Sequence, residues 1–73
     1  MKQNALDQMH EIQRRVQALR QLTQDNAIGT RVQAGKFQLG RVEYVNGIGE
    51  FAPDSEWLTY GELLAELDAR CAP

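Results

Sequence analysis

Between Ala5 and Thr23 the apolar residues fall at alternating steps of four and three: Ala5, Met9, Ile12, Val16 and Leu19, with Thr23 continuing the step. That spacing lays one stripe along one face of an α-helix. No Gly or Pro interrupts the segment, and its Gln, Arg, Leu and Ala are good helix formers. Leu6 and Leu22 widen the stripe at its ends, and Asp25, Asn26 and Gly29 close it. The pattern predicts a helix over residues 4–24, roughly 31 Å long at about 1.5 Å per residue. A compact chain of 73 residues has a radius of gyration of only about 11 Å. So long a helix in so small a body limits the folds available.

The rest of the chain supplies the partners. Val45-Asn46-Gly47-Ile48 is a hairpin signal, because Asn and Gly accept the positive φ that a type I′ turn needs at both central positions. Folding there sets Tyr44 opposite Gly49, Val42 opposite Phe51 and Glu43 opposite Glu50. The Tyr44 ring then covers the bare Gly49. Phe37 and Leu39 alternate in the odd phase and Val42 and Tyr44 in the even one, so a bulge near Gly40 is expected. Arg31–Gln33 reads as a weaker third strand turning at Ala34-Gly35-Lys36. Residues 59–70 carry a second helix. Thr59 and Glu62 have capping-box spacing, and Leu58 with Leu63 forms the staple around it. Tyr60, Leu63, Leu64, Leu67 and Cys71 share its apolar face. The expected architecture is α+β in one domain over residues 1–73: helix 4–24, β structure 30–52 as a two- or three-stranded antiparallel meander, and helix 59–70, with helices on a sheet face.

Composition narrows the function classes. Apolar residues make up 42% of the chain and charged residues 25%, the proportions of an ordinary globular domain. No apolar run is long enough for a membrane span, and Gln3, Asn4, Asp7 and Gln8 break any signal-peptide core. A cytoplasmic location with no membrane contact is therefore expected. Cys71 is the only cysteine and His10 the only histidine, which rules out an internal disulfide and falls short of a structural zinc site. His10 lies off the stripe without a nucleophile nearby and reads as a surface residue. Cys71 sits at the wrong end of a helix for a reactive thiol. The glycines lack the spacing of a phosphate loop. No catalytic residue, cofactor site or metal site is expected, and the chain reads as a non-enzymatic protein.

Two features point to partners. The first is the long stripe. A sheet of five-residue strands runs only about 17 Å, so part of the stripe is expected to overhang and self-associate through Met9, Ile12, Val16 and Leu19; the alternative is that the chain's own sheet and second helix cover the whole of it. As a coiled coil, Met9 and Val16 fall at a and Ile12 and Leu19 at d. Arg15 and Arg20 then face each other in a parallel pair, which favours an antiparallel homodimer or an acidic partner surface. The second is charge. Residues 1–41 hold seven basic against three acidic residues, and residues 42–73 one against seven. Either the two halves neutralise each other or one presents a binding face. Glu50, Asp54, Glu56, Glu62 and Glu66 with Trp57 form a candidate acidic surface for a protein partner, although Trp57 also suits the role of core plug. The resulting reading is a small protein-binding regulator or inhibitor, dimeric through its first helix, whose sharpest form targets nucleic-acid-handling machinery. The alternative is a small nucleic-acid-binding protein gripping phosphates with Arg14, Arg15, Arg20, Arg31, Lys36 and Arg41, which its acidic pI near 5.2 disfavours.

Overall fold

The computed structural model describes residues 4–72. The elements are α1 (Ala5–Thr23), β1 (Ile28–Gln33), β2 (Lys36–Val45), β3 (Ile48–Pro53) and α2 (Tyr60–Cys71). The strands form one antiparallel sheet in the order β1-β2-β3. The α+β architecture is as the sequence predicts, with three strands rather than two.

Each element begins and ends for a local reason. Asn4 caps α1: its Oδ1 accepts the Asp7 N–H at 2.8 Å, which satisfies one of the free amides of the first turn. Gln24 ends the helix in the left-handed region at φ 56°, and its N–H bonds back to the Arg20 carbonyl. At α2 both arms of the capping box form. The Thr59 hydroxyl accepts from the Glu62 N–H at 3.2 Å, and the Glu62 carboxylate accepts from the Thr59 N–H at 2.9 Å. Asn46 and Gly47 turn the β2–β3 hairpin at φ 53° and 80°, and the register matches expectation, with Tyr44 opposite Gly49 and Val42 opposite Phe51. Ala34 and Gly35 make the corresponding turn between β1 and β2 at φ 51° and 75°.

The expected bulge at Gly40 is absent. Both ladders run without interruption, from Ile28 opposite Arg41 to Gln33 opposite Lys36 and from Gly40 opposite Pro53 to Val45 opposite Ile48. The change of phase is met instead by a change of environment along β2. Its first half lies between β1 and the 54–58 segment, which bonds to it through Asp54 N–H to Leu39 O at 2.9 Å and a mutual Phe37–Leu58 pair at 2.7 and 2.6 Å. There the odd residues Phe37 and Leu39 enter the core. Past Arg41 strand β1 has ended, and β2 continues with β3 alone as a two-stranded ribbon. Gly40 serves a different need. A Cβ there would lie 2.4 Å from the Ala52 carbonyl oxygen and 2.9 Å from the Phe51 ring, so the bare backbone lets β3 close against β2.

The core is Ile12, Val16, Leu19, Phe37, Leu39, Leu63 and Leu67. Leu63 and Leu67 stand one turn apart on α2 and meet the α1 stripe from one side, while Phe37 and Leu39 meet it from the sheet. Ile28, Leu58, Tyr60, Leu64 and Cys71 seal the edges. This overturns the expectation of a bare stripe. Ile12, Val16 and Leu19 are 1%, 4% and 2% exposed within a single copy, so they are core residues and not a self-association surface. The second helix covers what a small sheet leaves open. Of the larger apolar residues of α1, Met9, at 36%, and the flanking Leu6 and Leu22 remain exposed, because α1 outruns its cover at both ends. The molecule measures 45 × 31 × 20 Å with a radius of gyration of 12.5 Å.

Candidate protein-binding surface

Of the residues expected to form an acidic face, three have structural partners. Asp54 holds both terminal nitrogens of Arg70 at 2.9 and 3.1 Å, and Glu66 holds its Nε at 3.0 Å. These contacts tie the loop after β3 to α2 and raise the Arg70 pKa, chiefly through the Asp54 hydrogen bonds. Glu62 caps α2, and the Thr59 backbone N–H pulls its pKa down. Glu50, Glu56 and Trp57 are left exposed. The acidic set is therefore divided between fold and surface.

The basic set is divided further. Arg15 bonds Glu11 at 2.8 Å and also Asp68, the one ion pair among the described residues that joins the basic half of the chain to the acidic half. Arg14 also pairs with Glu11. The Arg15 hydrogen bond, more than Arg14, lowers the Glu11 pKa against the opposing effect of desolvation. Arg41 bonds Asp25 at 2.5 Å, and Arg20 donates through Nε to the Ile28 carbonyl at 2.7 Å. Arg31 donates to the Gln38 amide oxygen at 2.9 Å. Five of these six groups are committed to intramolecular partners. Lys36 is exposed.

Trp57 is not a core plug. It is 39% exposed and lies with Phe51 around the Arg31 guanidinium, whose carbon is 5.1 Å from the Trp57 ring centre and 5.0 Å from the Phe51 ring centre. Gln38, 8% exposed, supports the stack from below: its side-chain oxygen holds Arg31, and its nitrogen donates to the Ser55 carbonyl at 3.0 Å. A shallow cavity of about 340 Å³ lined by Gln33, Ala34, Lys36 and Trp57 opens beside it. Sequence reasoning marked Trp57 but missed Arg31 and Phe51 as its companions. Their assembly depends on Arg31 standing opposite Gln38 in the β1–β2 register, which turns at Ala34-Gly35.

The second exposed surface is the ribbon. Tyr44, Val45 and Ile48 at its tip are 76%, 51% and 67% exposed. Glu43 and Glu50 face each other across it. Arg41, two residues before Glu43 on the same strand, bonds Asp25, and no ion pair among the described residues reaches either glutamate.

Among the described residues, no group of three or more His, Cys, Asp or Glu stands together as a metal site, and no helix is long and apolar enough to cross a membrane. His10 is exposed, and Cys71 is half-buried at the core edge. No family model, curated protein or solved structure matches this chain.

Proposed function

We propose that this protein is a small non-enzymatic regulator that acts by binding another protein, as a dimer, with Trp57 at the centre of its partner surface. The observation that carries the reading is the Arg31–Trp57–Phe51 stack. Trp and Arg are the side chains most enriched at interface hot spots. Here both are held in place before any partner arrives: the ring by the guanidinium, and the guanidinium by a buried glutamine. Prior ordering lowers the entropy cost of association. Lys36, which lines the cavity beside the ring, and exposed Glu56, the residue before it, carry opposite charges that would select among partners. Five of the six cations of the nucleic-acid reading already hold intramolecular partners, which leaves that reading less support.

The test is a photo-reactive side chain in place of Glu56, crosslinked in the native cell. A specific adduct with another protein is expected. Adding Trp57→Ala should abolish it, since truncating a hot spot by 2 kcal/mol or more weakens binding about 30-fold. The melting temperature should hold to within a few degrees. An adduct of equal yield in the Trp57→Ala background, or none in either background, would refute the reading.

A further inference from the structure

A cleft of about 670 Å³ runs along α1 beside the free edge of the sheet, between Met9, Gln13 and Arg20 on one wall and Gly29, Thr30 and Val42 on the other. A second hollow bounded by Arg20, Ala27, Val42 and Tyr44 continues it to the base of the β2–β3 ribbon. Together they form one trough. Its floor is partly apolar, and Arg14 and Arg20 stand over it. The Arg14 side chain pairs with Glu11 one turn back on α1 and is still 75% exposed. Arg20 uses Nε for the Ile28 carbonyl, and no ion pair among the described residues engages its terminal nitrogens. The wall opposite α1 is an unpaired strand edge. The Ala27 carbonyl bonds Val42 N–H, and antiparallel residues alternate between inward and outward backbone groups. The outward groups therefore belong to Ile28, Thr30 and Val32, and Arg20 meets the first of them.

The ribbon that rises from the end of this trough has the complementary character. Its tip is apolar, and its middle carries Glu43 and Glu50 directly opposed, with no ion pair to either among the described residues, an arrangement that positive charge from a partner would relieve. The dimensions agree. The free arm of four residues, Val42–Val45, extends about 14 Å at about 3.4 Å per residue. The α1 wall from Met9 to Arg20 runs about 17 Å at about 1.5 Å per residue. A ribbon cannot enter the trough from whose end it springs, but the ribbon of another copy can.

We infer that two copies of this chain dock reciprocally about a two-fold axis, each laying the Tyr44–Ile48 ribbon tip in the other's α1–β1 trough with Glu43 and Glu50 against Arg14 and Arg20. The contact is isologous and closes at two copies. The inference rests on the dimeric part of the proposed function and moves the interface from the α1 stripe to the hairpin. Trp57 lines neither surface and stays available for the other partner.

The test is light-scattering mass after size exclusion, on three samples at low ionic strength. The intact chain should run at twice its 8.3 kDa. Glu43→Arg/Glu50→Arg sets positive charge against the trough and should run as monomer. Arg14→Glu/Gln17→Glu sets negative charge in the trough against the ribbon and should also run as monomer. An equimolar mixture of the two variants should recover the dimer mass, because each ribbon then meets a trough of opposite sign. Rescue on mixing also shows that both variants are folded. An intact chain that stays monomeric at about 0.5 mM, well above a micromolar Kd, overturns the inference. So does a variant that remains dimeric alone, or a mixture that does not recover. Because the Trp57→Ala crosslinking test uses a different surface and a heterologous adduct, failure here leaves the protein-binding reading standing, and failure there leaves this one standing.

Discussion

Gly40→Ala adds one methyl group at the point where β2 leaves the three-stranded sheet for the ribbon. The new Cβ would meet the Ala52 carbonyl oxygen at 2.4 Å, the Pro53 Cα at 2.8 Å and the Phe51 ring at 2.9 Å. Two of these three atoms are backbone, which no rotamer change can move. Either β3 shifts away from β2 or Gly40 retreats toward Gly29, its neighbour on β1. Overpacking of this kind costs about 1–3 kcal/mol, and two backbone atoms of β3 within 3 Å put Gly40 near the upper end. The opposing gain from a less flexible unfolded chain is only about 0.4–1 kcal/mol. A net loss of about 2 kcal/mol lowers the melting temperature of a domain this size by about 8–16 °C. Urea unfolding at pH 7, with melting followed by circular dichroism, measures it. A Gly40→Ala protein within about 0.5 kcal/mol of the parent would refute the close-approach account and restore the case for a bulge that opens space at this residue.

Gly61 gives the opposite sign. It lies in the first turn of α2, where an added Cβ meets nothing within 4 Å, so Gly61→Ala should stabilise by about 0.5 kcal/mol, read from the urea midpoint. Ala34 occupies the left-handed region at φ 51°, and Ala34→Asn, which makes an Asn-Gly turn, should raise stability by about 0.5–1 kcal/mol; an unchanged midpoint would contradict the turn geometry. Glu11 and Glu62 have pKa values below the ordinary 4.5. A depressed carboxylate contributes stability above its unfolded pKa and loses it as pH falls through the folded one. Melting temperature should therefore drop below about pH 4.5, and Glu11→Gln/Glu62→Gln, which keeps the hydrogen-bonding shape, should flatten that drop. An identical pH slope would show that these two groups do not carry it. Arg70→Met removes the tie between the 54–58 segment and α2 and should cost about 1 kcal/mol, with faster amide exchange at Asp54 and Leu58 as the local sign.

The most legible parts of the fold are those with short-range causes. Thr59 and Glu62 cap α2 within one turn, and Asn46-Gly47 fixes the hairpin register down to the pairing of Glu43 with Glu50. Reading fails where the outcome depends on what lies across the chain. Odd Phe37 and even Val42 suggested a bulge because each phase was assumed to need the same core face. The structure instead ends β1 at Ile28, so the second half of β2 has no core to face. The α1 stripe gave the clearest sequence signal and the least accurate functional reading. The stripe outruns the sheet alone, and Leu63 and Leu67 of α2 supply the cover that the alternative reading required. Charge behaved likewise. Asp54 and Glu66 look like surface residues in sequence and turn out to hold Arg70 together. Trp57 was legible as a candidate, whereas the Arg31 stack that orders it depends on a β1–β2 register that the weak Ala34-Gly35 turn signal did not define.

Amide exchange across a dilution series tests most directly whether the stripe belongs to one copy. At a concentration where light scattering gives 8.3 kDa, the amides of Ile12, Val16 and Leu19 should keep the protection of global unfolding, while Tyr44 and Gly49 exchange quickly. If protection along α1 falls as the protein is diluted, the stripe is sheltered by a second molecule and this account of the fold is wrong.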